Sequence, residues 1–474
     1  MSKFKLFVEN MLAYGVGGII NKIIPLIMVP IVIRLMPNSE YYGISDLSQT
    51  LVLFSTYIAV MGMYDAMYRM FFEKDDEEYK KSVCSTAFMF TIATSIIVFI
   101  AMLLLRNVIA QYFFGDKQYA YVVYLSAMSA LVGGSNSIVQ APTRMQNKRI
   151  VYVVTNTLGS LISYSIAILL LLKGYYVIAL PLSMVISSIT LELFFWIVNH
   201  KWFSRKKFDK DLLKQLLSIA LPLFPNFLIY WVFNSCDKLL ITNMIGLSAA
   251  GIYSVASKLG HVSQLIYTAF AGGWQFFAFS TMKEKDQVKS NSLIFEYLGI
   301  VSYVATLFIC AWSYDIFKLL FTDEYLSGYI SAPYLFLAPL LQMLFQVASN
   351  QFLVIKRTWF NMFILSGGVV LNIIINFILI PILGIEGASI ATLMGYVVSD
   401  IICVLVLVKM KLMVVSLKFI IATLIMCVSF VIWRMFFHAY VVFGMLLAII
   451  ATCGFLILYK SDLMKLKTTI TNRG

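Results

Sequence analysis

A chain of 474 residues that is 61% hydrophobic and only 12% charged, with a mean hydropathy of +0.88, is far more apolar than a soluble globular domain. That composition excludes a water-soluble enzyme and predicts an all-α polytopic membrane protein. The net charge of +13 would suit a nucleic-acid surface, but the places where Lys and Arg fall decide against one.

A bilayer span takes roughly 20 apolar residues. Fourteen such runs follow one another: 11–33, 43–64, 83–105, 119–140, 150–172, 175–198, 216–245, 250–272, 293–313, 329–352, 358–380, 386–408, 412–433 and 441–458. The first holds Lys22, Pro25 and Pro30 and lacks a small-residue cleavage site, so it reads as a retained helix and not as a signal peptide. With the N-terminus inside, the tails, the inward loops and the inner end of the span 412–433 carry 27 Lys and Arg and the outward loops 5. The remaining four, Lys22, Arg34, Lys238 and Lys258, lie within or at the ends of spans. The positive-inside rule then places both termini in the cytoplasm, with the basic and amphipathic loop NHKWFSRKKFDKDLLKQ (199–215). The longest outward loops, 106–118 and 314–328, are too short to house aqueous catalysis. Six scattered cysteines without a CxxC imply neither a disulfide framework nor a metal site.

A shift of 208 residues aligns the two halves without gaps. Met36, Gly43, Phe71, Lys148, Arg149 and Gly159 fall on Met244, Gly251, Phe279, Lys356, Arg357 and Gly367, and Glu192 falls on Asp400. The expected plan is 6+6+2: a six-helix lobe over 1–205, a second over 206–410, and two further helices with a cytoplasmic tail over 411–474. Parallel repeats imply a pseudo-twofold axis along the membrane normal and a central cavity for substrate.

The stretch LPLFPNFLIYWVFNSCDKLLITNMIGLSAAGIYSVASKL (221–259) resembles the seventh and eighth helices of the polysaccharide flippases in the multidrug/oligosaccharidyl-lipid/polysaccharide exporter superfamily. NIIINFILIPILGIEGASIATLMGYVVSD (372–400) resembles their eleventh and twelfth, and the start of the chain, ending RLMPNSEYYG, is also similar. The resemblance implies export, by alternating access, of an oligosaccharide repeat unit carried on polyprenyl pyrophosphate across a bacterial plasma membrane. Surface polysaccharide such as lipopolysaccharide, capsule or exopolysaccharide would be the product. A polymerase and glycosyltransferases would be the partners besides membrane lipids, and a proton or sodium gradient would stand in place of a cofactor.

Charge inside hydrocarbon is costly, so the ionisable residues within spans are the candidate site. Lys22 lies about 16 Å into the first helix, near the bilayer centre. Arg34 and Lys258 lie toward the outer side, and the three together would make a cationic path for a pyrophosphate. The alternative is that Arg34 snorkels to the headgroups and Lys258 pairs with Asp46 or Asp237. Asn226, Tyr230, Asn234 and Asp237 recur at i, i+4, i+8 and i+11 and share a helix face. That stripe suits sugar hydroxyls, with Asp237 either coupling transport to an ion or forming a helix-end pair with Lys238. Gln342 and Gln346 form a similar amide stripe. Asp400 and Glu192, repeat equivalents, are coupling candidates or structural twins, and the amides Asn372 and Asn376 suit helix packing. Pro222 and Pro225, like Pro25 and Pro30, allow bending.

Neither a phosphate-binding glycine loop nor a nucleophile constellation nor metal-ligand spacing is present in the sequence, so no enzyme, catalytic residue or metal is expected. A lipid II or teichoic-type precursor flippase, and a cation-coupled multidrug exporter of the same superfamily, are the alternative readings.

Overall fold

Long apolar runs, interrupted chiefly by Gly, Pro and short polar clusters, leave the backbone no partners in a bilayer except its own, which favours helices. The computed structural model describes residues 3–267, 270, 274, 286–355, 357, 359–462 and 464, with the side chains of 3–14, 16 and 205 excepted. Helices are the only regular elements among these residues. In chain order they are α1 (Lys3–Arg34), α2 (Ser39–Val60), α3 (Met63–Phe71), α4 (Glu77–Leu104), α5 (Arg106–Phe114), α6 (Ala120–Val139), α7 (Ala141–Met145), α8 (Arg149–Leu172) and α9 (Ala179–Asn199). There follow α10 (Lys210–Met244), α11 (Leu247–Gly260), α12 (Gln287–Leu320), α13 (Ser331–Val354), α14 (Trp359–Leu383), α15 (Ile385–Lys409), α16 (Leu417–Ile432) and α17 (Val441–Leu458). Twelve helices among the described residues are long and apolar enough to span a bilayer, or thirteen counting the bent pair α2–α3. The predicted span 250–272 takes in α11 and then runs into positions outside the described residues.

Contacts divide the chain into two units, Met1–Ser254 with Ile380–Gly384, and Val255–Leu379 with Ile385–Gly474. In the first, α6 packs on α2, α4 and α9, while α8 packs on α1 and α9. Small polar residues stitch these helices, as Ser48 Oγ to Ser126 Oγ at 2.8 Å and Asn199 Nδ2 to the Val139 carbonyl at 2.8 Å. The bend of 49° between α2 and α3 follows from Met61 and Gly62, both at positive φ. A Cβ at Gly62 would lie 2.7 Å from the Ala220 carbonyl oxygen of α10, so only glycine fits. Beyond the bend, Met63, Met67, Met70 and Phe71 of α3 close a core with Cys84, Met145 and Leu216.

The 199–215 loop is not one amphipathic helix. Two short 3₁₀ turns, His200–Trp202 and Arg205–Lys207, precede α10. Trp202 and Phe203 pack against the α3 core, the Ser204 amide donates to Ser85 Oγ, and Lys207 pairs with Glu78. Asp209 then caps α10 by accepting from the amides of Asp211 and Leu212, which is worth about 1 kcal/mol.

The second unit centres on α13, 89% of whose spanning window is buried and which packs on α12 and α15. Helices α16 and α17 are fastened to it at two levels. Glu296 of α12 accepts from the Ser416 amide (2.7 Å), Ser416 Oγ (2.7 Å) and Tyr459 Oη (3.1 Å). Glu386, at the start of α15, takes a two-pronged bond from Arg434 (2.5 and 2.7 Å) and a third from Tyr334 Oη. Arg434 sits in a π-helical turn, Trp433–Phe437, next to a contact of 2.6 Å between Tyr329 Oη and His438 Nδ1.

Candidate functional site

Within the first unit, the packing of α1 on α8 puts polar groups in the middle of an apolar wall. Asn21 Oδ1 accepts from Thr157 Oγ1 at 3.3 Å. Beside it lies a cavity of about 290 Å³ lined by Asn21, Asn156, Ser160, Ser163, Ser187 and Ser188, with Gly159, Met184 and Leu191. Gly159 keeps α8 close to α9: a Cβ there would meet the Leu191 side chain at 2.7 Å, while its carbonyl accepts from Ser187 Oγ at 2.7 Å. Hydroxyls and amides offer donors and acceptors together, the chemistry that sugar hydroxyls need. Lys22, next in sequence to Asn21, is half-buried, and Arg34 at the end of α1 is exposed.

A second polar cluster joins α2, α10 and the first turns of α11. Gly43 faces the Leu247 carbonyl and Gly251 the Ser39 carbonyl, each so closely that a Cβ would collide with backbone. These contacts are reciprocal under the 208-residue shift: Gly43 answers to Gly251 and Ser39 to Leu247. The same shift carries Asp46 onto Ser254, and Ser254 Oγ donates to Asp46 Oδ2 at 2.9 Å. Lys238 of α10 forms an ion pair with Asp46, Tyr253 Oη donates to Asp237 Oδ2 at 2.7 Å, and Trp231 Nε1 donates to the Thr50 carbonyl at 3.1 Å. Asp46 and Asp237 are both buried.

The structure thus groups Asp237 and Lys238 with Asp46, but splits the expected α10 stripe. Asn226 and Asn234 are exposed, Asn234 donating to the Tyr230 carbonyl of its own helix, while Asp237 turns into the packing with α11. Glu192 is held in place: its Oε1 accepts from Ser135 Oγ at 2.5 Å and from Trp196 Nε1 at 2.9 Å.

In the second unit, Lys258 is half-buried, as are Gln342 and Gln346 of α13. Gln346 Oε1 accepts from Tyr267 Oη at 2.7 Å. Asn372 Nδ2 reaches Thr392 Oγ1 at 3.4 Å and Asn376 Nδ2 the Asn372 carbonyl at 3.0 Å, so both amides take part in helix packing. Asp400 is 9% exposed, and neither carboxylate oxygen has a hydrogen-bond partner.

Sequence reasoning passed over the serine-lined cavity, the Ser254 and Tyr253 donors, and the Glu296 and Glu386 clamps. Only the first donor carried a signal: the repeat that pairs Gly43 with Gly251 also pairs Asp46 with Ser254.

A family model described as "Polysaccharide biosynthesis protein" matches residues 31–330. No curated relative matches the chain by sequence. Among solved structures, the lipid II flippase MurJ in an inward closed conformation is similar with a TM-score of 0.71 at 15% identity, over 97% of this chain and 99% of that one. An inward-facing multidrug resistance MATE family transporter of the MOP superfamily matches at 0.63 and 15% identity, over 82% and 98% of the respective chains. An outward-facing transporter of that family matches at 0.59 and 14% identity, over 86% and 95%. These likenesses carry the fold.

Proposed function

The chain belongs to the polysaccharide biosynthesis protein family, and from that premise we propose that it flips an oligosaccharide on polyprenyl pyrophosphate from the inner to the outer leaflet of a bacterial plasma membrane. The observation that carries this reading is that α1 holds both Lys22, half-buried in an apolar helix, and Asn21, which lines a cavity walled by hydroxyls and amides. A helix that carries a cation and takes part in a sugar-compatible set of donors and acceptors suits a substrate that is anionic at its phosphates and hydroxylated beyond them. In the first unit Arg34 adds a second cation and Asn226, Tyr230 and Asn234 offer further polar contacts; in the second unit Lys258, Gln342 and Gln346 are the candidate contacts. The pyrophosphate is screened while it is out of bulk water, and the prenyl chain remains in lipid.

Alternating access needs a closure that can open. The α2–α11 crossing serves as the outer one, because by the distribution of Lys and Arg both helices begin at the outer face. Its glycines allow close approach, and the Asp46–Lys238 pair with the Ser254 bond holds it shut. A lipid II flippase matches nearly the whole chain, whereas the multidrug transporters leave part of it uncovered. That fuller coverage favours a lipid-linked substrate over a small cationic drug.

The test is Lys22→Gln, alone and with Lys258→Gln. Loss of surface polysaccharide at normal protein level, with lipid-linked repeat units accumulating on the cytoplasmic face, is expected. Full export by the double variant would overturn the cationic path.

A further inference from the structure

We infer that Asp400 is a proton-binding site inside the second unit, its carboxyl carrying the proton in the conformation described here and releasing it when the packing around α15 changes. The inference deepens the transport reading, on which its place in a transport cycle rests.

The carboxylates buried or half-buried at the helix contacts differ in the donors they receive. Glu296 takes three donors, and Glu386 takes three. Asp46 takes Lys238 and Ser254, Asp237 takes Tyr253, and Glu192 takes Ser135 and Trp196. Asp400 is 9% exposed and takes none on either oxygen. Its repeat equivalent Glu192 takes two donors on Oε1 and none on Oε2, so of the twin positions only Asp400 lacks donors on both oxygens.

An ionised carboxylate without donors or a counter-charge is not tolerated in such a place, since even after relaxation its desolvation amounts to several kcal/mol. Two neighbouring helices supply no compensating charge. Helix α13, packed along α15, and α14, which precedes it, contain no Asp, Glu, Lys, Arg or His. Tyr303 of α12 and Cys403 of α15 itself are titratable neighbours, and the Tyr303 hydroxyl is engaged with Thr423 Oγ1 at 3.0 Å. A proton neutralises the carboxyl with one O–H bond and needs no further ligand.

Asp400 lies nine residues before the inner end of α15 at Lys409, about 14 Å along the axis. The proton must therefore arrive or leave through a change in packing or hydration, and it favours whichever arrangement keeps the carboxyl dry. That differential is what couples a proton gradient to a conformational cycle. The step is a simple protonation: one O–H bond forms from a carboxylate and a proton delivered by water.

The experiment uses the purified full chain in lipid and no transported substrate, so its outcome is independent of what is carried. Infrared difference spectra across pH steps, in H₂O and D₂O, should show a protonated-carboxyl C=O band that is lost in Asp400→Asn and shifted in Asp400→Glu. Glu192→Gln should leave it in place. Hydrogen exchange of α13 and α15, corrected for intrinsic rates, should depend on pH in the wild type and lose that dependence in Asp400→Asn. If the Asn variant folds poorly, Asp400→Leu replaces an unpartnered acid with an apolar group and should be at least as heat-stable as wild type. Persistence of the band in Asp400→Asn or Asp400→Leu, a band that answers to exchange of NaCl for KCl at fixed pH, or pH-independent exchange in the wild type would each overturn the inference.

Discussion

Replacing Gly43 or Gly251 by alanine should force α2 and α11 apart. At each position the added methyl meets backbone, the Leu247 carbonyl in one case and the Ser39 carbonyl in the other, so no side chain can rotate away to make room. Overpacking of this kind costs about 1–3 kcal/mol. If the crossing is the outer closure, that penalty falls on the closed arrangement alone and shifts the balance toward opening by about 5- to 150-fold. Ser254 is buried beside Asp46, so a Ser254→Cys reporter, in a background with the six native cysteines replaced, reads the shift. Its labelling by an impermeant maleimide applied from outside should accelerate within that range in either alanine variant. Because both methyls separate the same pair of helices, Gly43→Ala with Gly251→Ala should cost clearly less than the sum of the two. Wild-type labelling rates and melting temperature in both single variants would refute the close crossing and the gate built on it.

Lys238→Met should leave Asp46 buried without its cation and destabilise the protein by about 3–5 kcal/mol, while adding Asp46→Asn should recover most of the loss in a thermal melt. Glu296→Ala strands the Ser416 amide, Ser416 Oγ and Tyr459 Oη, each stranded group costing about 1–3 kcal/mol; proteolysis should then attack 411–458 first, and less so in Glu296→Gln. His438 is held below its ordinary value of 6.5, chiefly by burial and then by the Arg434 charge. A depressed histidine contributes stability that is present above its unfolded value and lost as pH falls through the folded one. The melting temperature should therefore drop on acidification below about 6.5, and drop less in His438→Gln.

The span pattern was legible because a bilayer imposes length and apolarity directly on the chain. Most of the apolar runs reappear as helices with ends moved by a few residues, α8 at Arg149–Leu172 against 150–172 and α17 at Val441–Leu458 against 441–458. The α2–α3 bend was not legible, since hydropathy is blind to the positive φ of Met61 and Gly62. The loop after α9 misled for a related reason: its basic and aromatic residues suggest an amphipathic helix, but Trp202 and Phe203 find a better apolar contact in the α3 core. At the site, helical spacing placed Asn226, Asn234 and Asp237 on one face, yet one face is wide enough to split between exposure and packing. Lys238 was tied in sequence to its neighbour Asp237, whereas its ion pair with Asp46 spans 192 residues, and no local pattern announces such a partner. Asp400 was named from the repeat alone; that it lacks donors is a property of its neighbours.

The Glu296 clamp carries a consequence for biosynthesis. Glu296 enters the membrane with α12, but its donors Ser416 and Tyr459 lie 120 and 163 residues later in the chain. At about 5–20 residues per second, the acid waits roughly 6 to 30 s for them. If α12 begins at the cytoplasmic face, as the distribution of Lys and Arg implies, the acid's place nine residues after Gln287 lets it stay hydrated at that interface meanwhile. A nascent chain halted before Ser416 therefore holds a carboxylate that cannot sink to its final depth. On that reading the last two helices complete the second unit: until they arrive, Glu296 still faces water where the finished protein buries it.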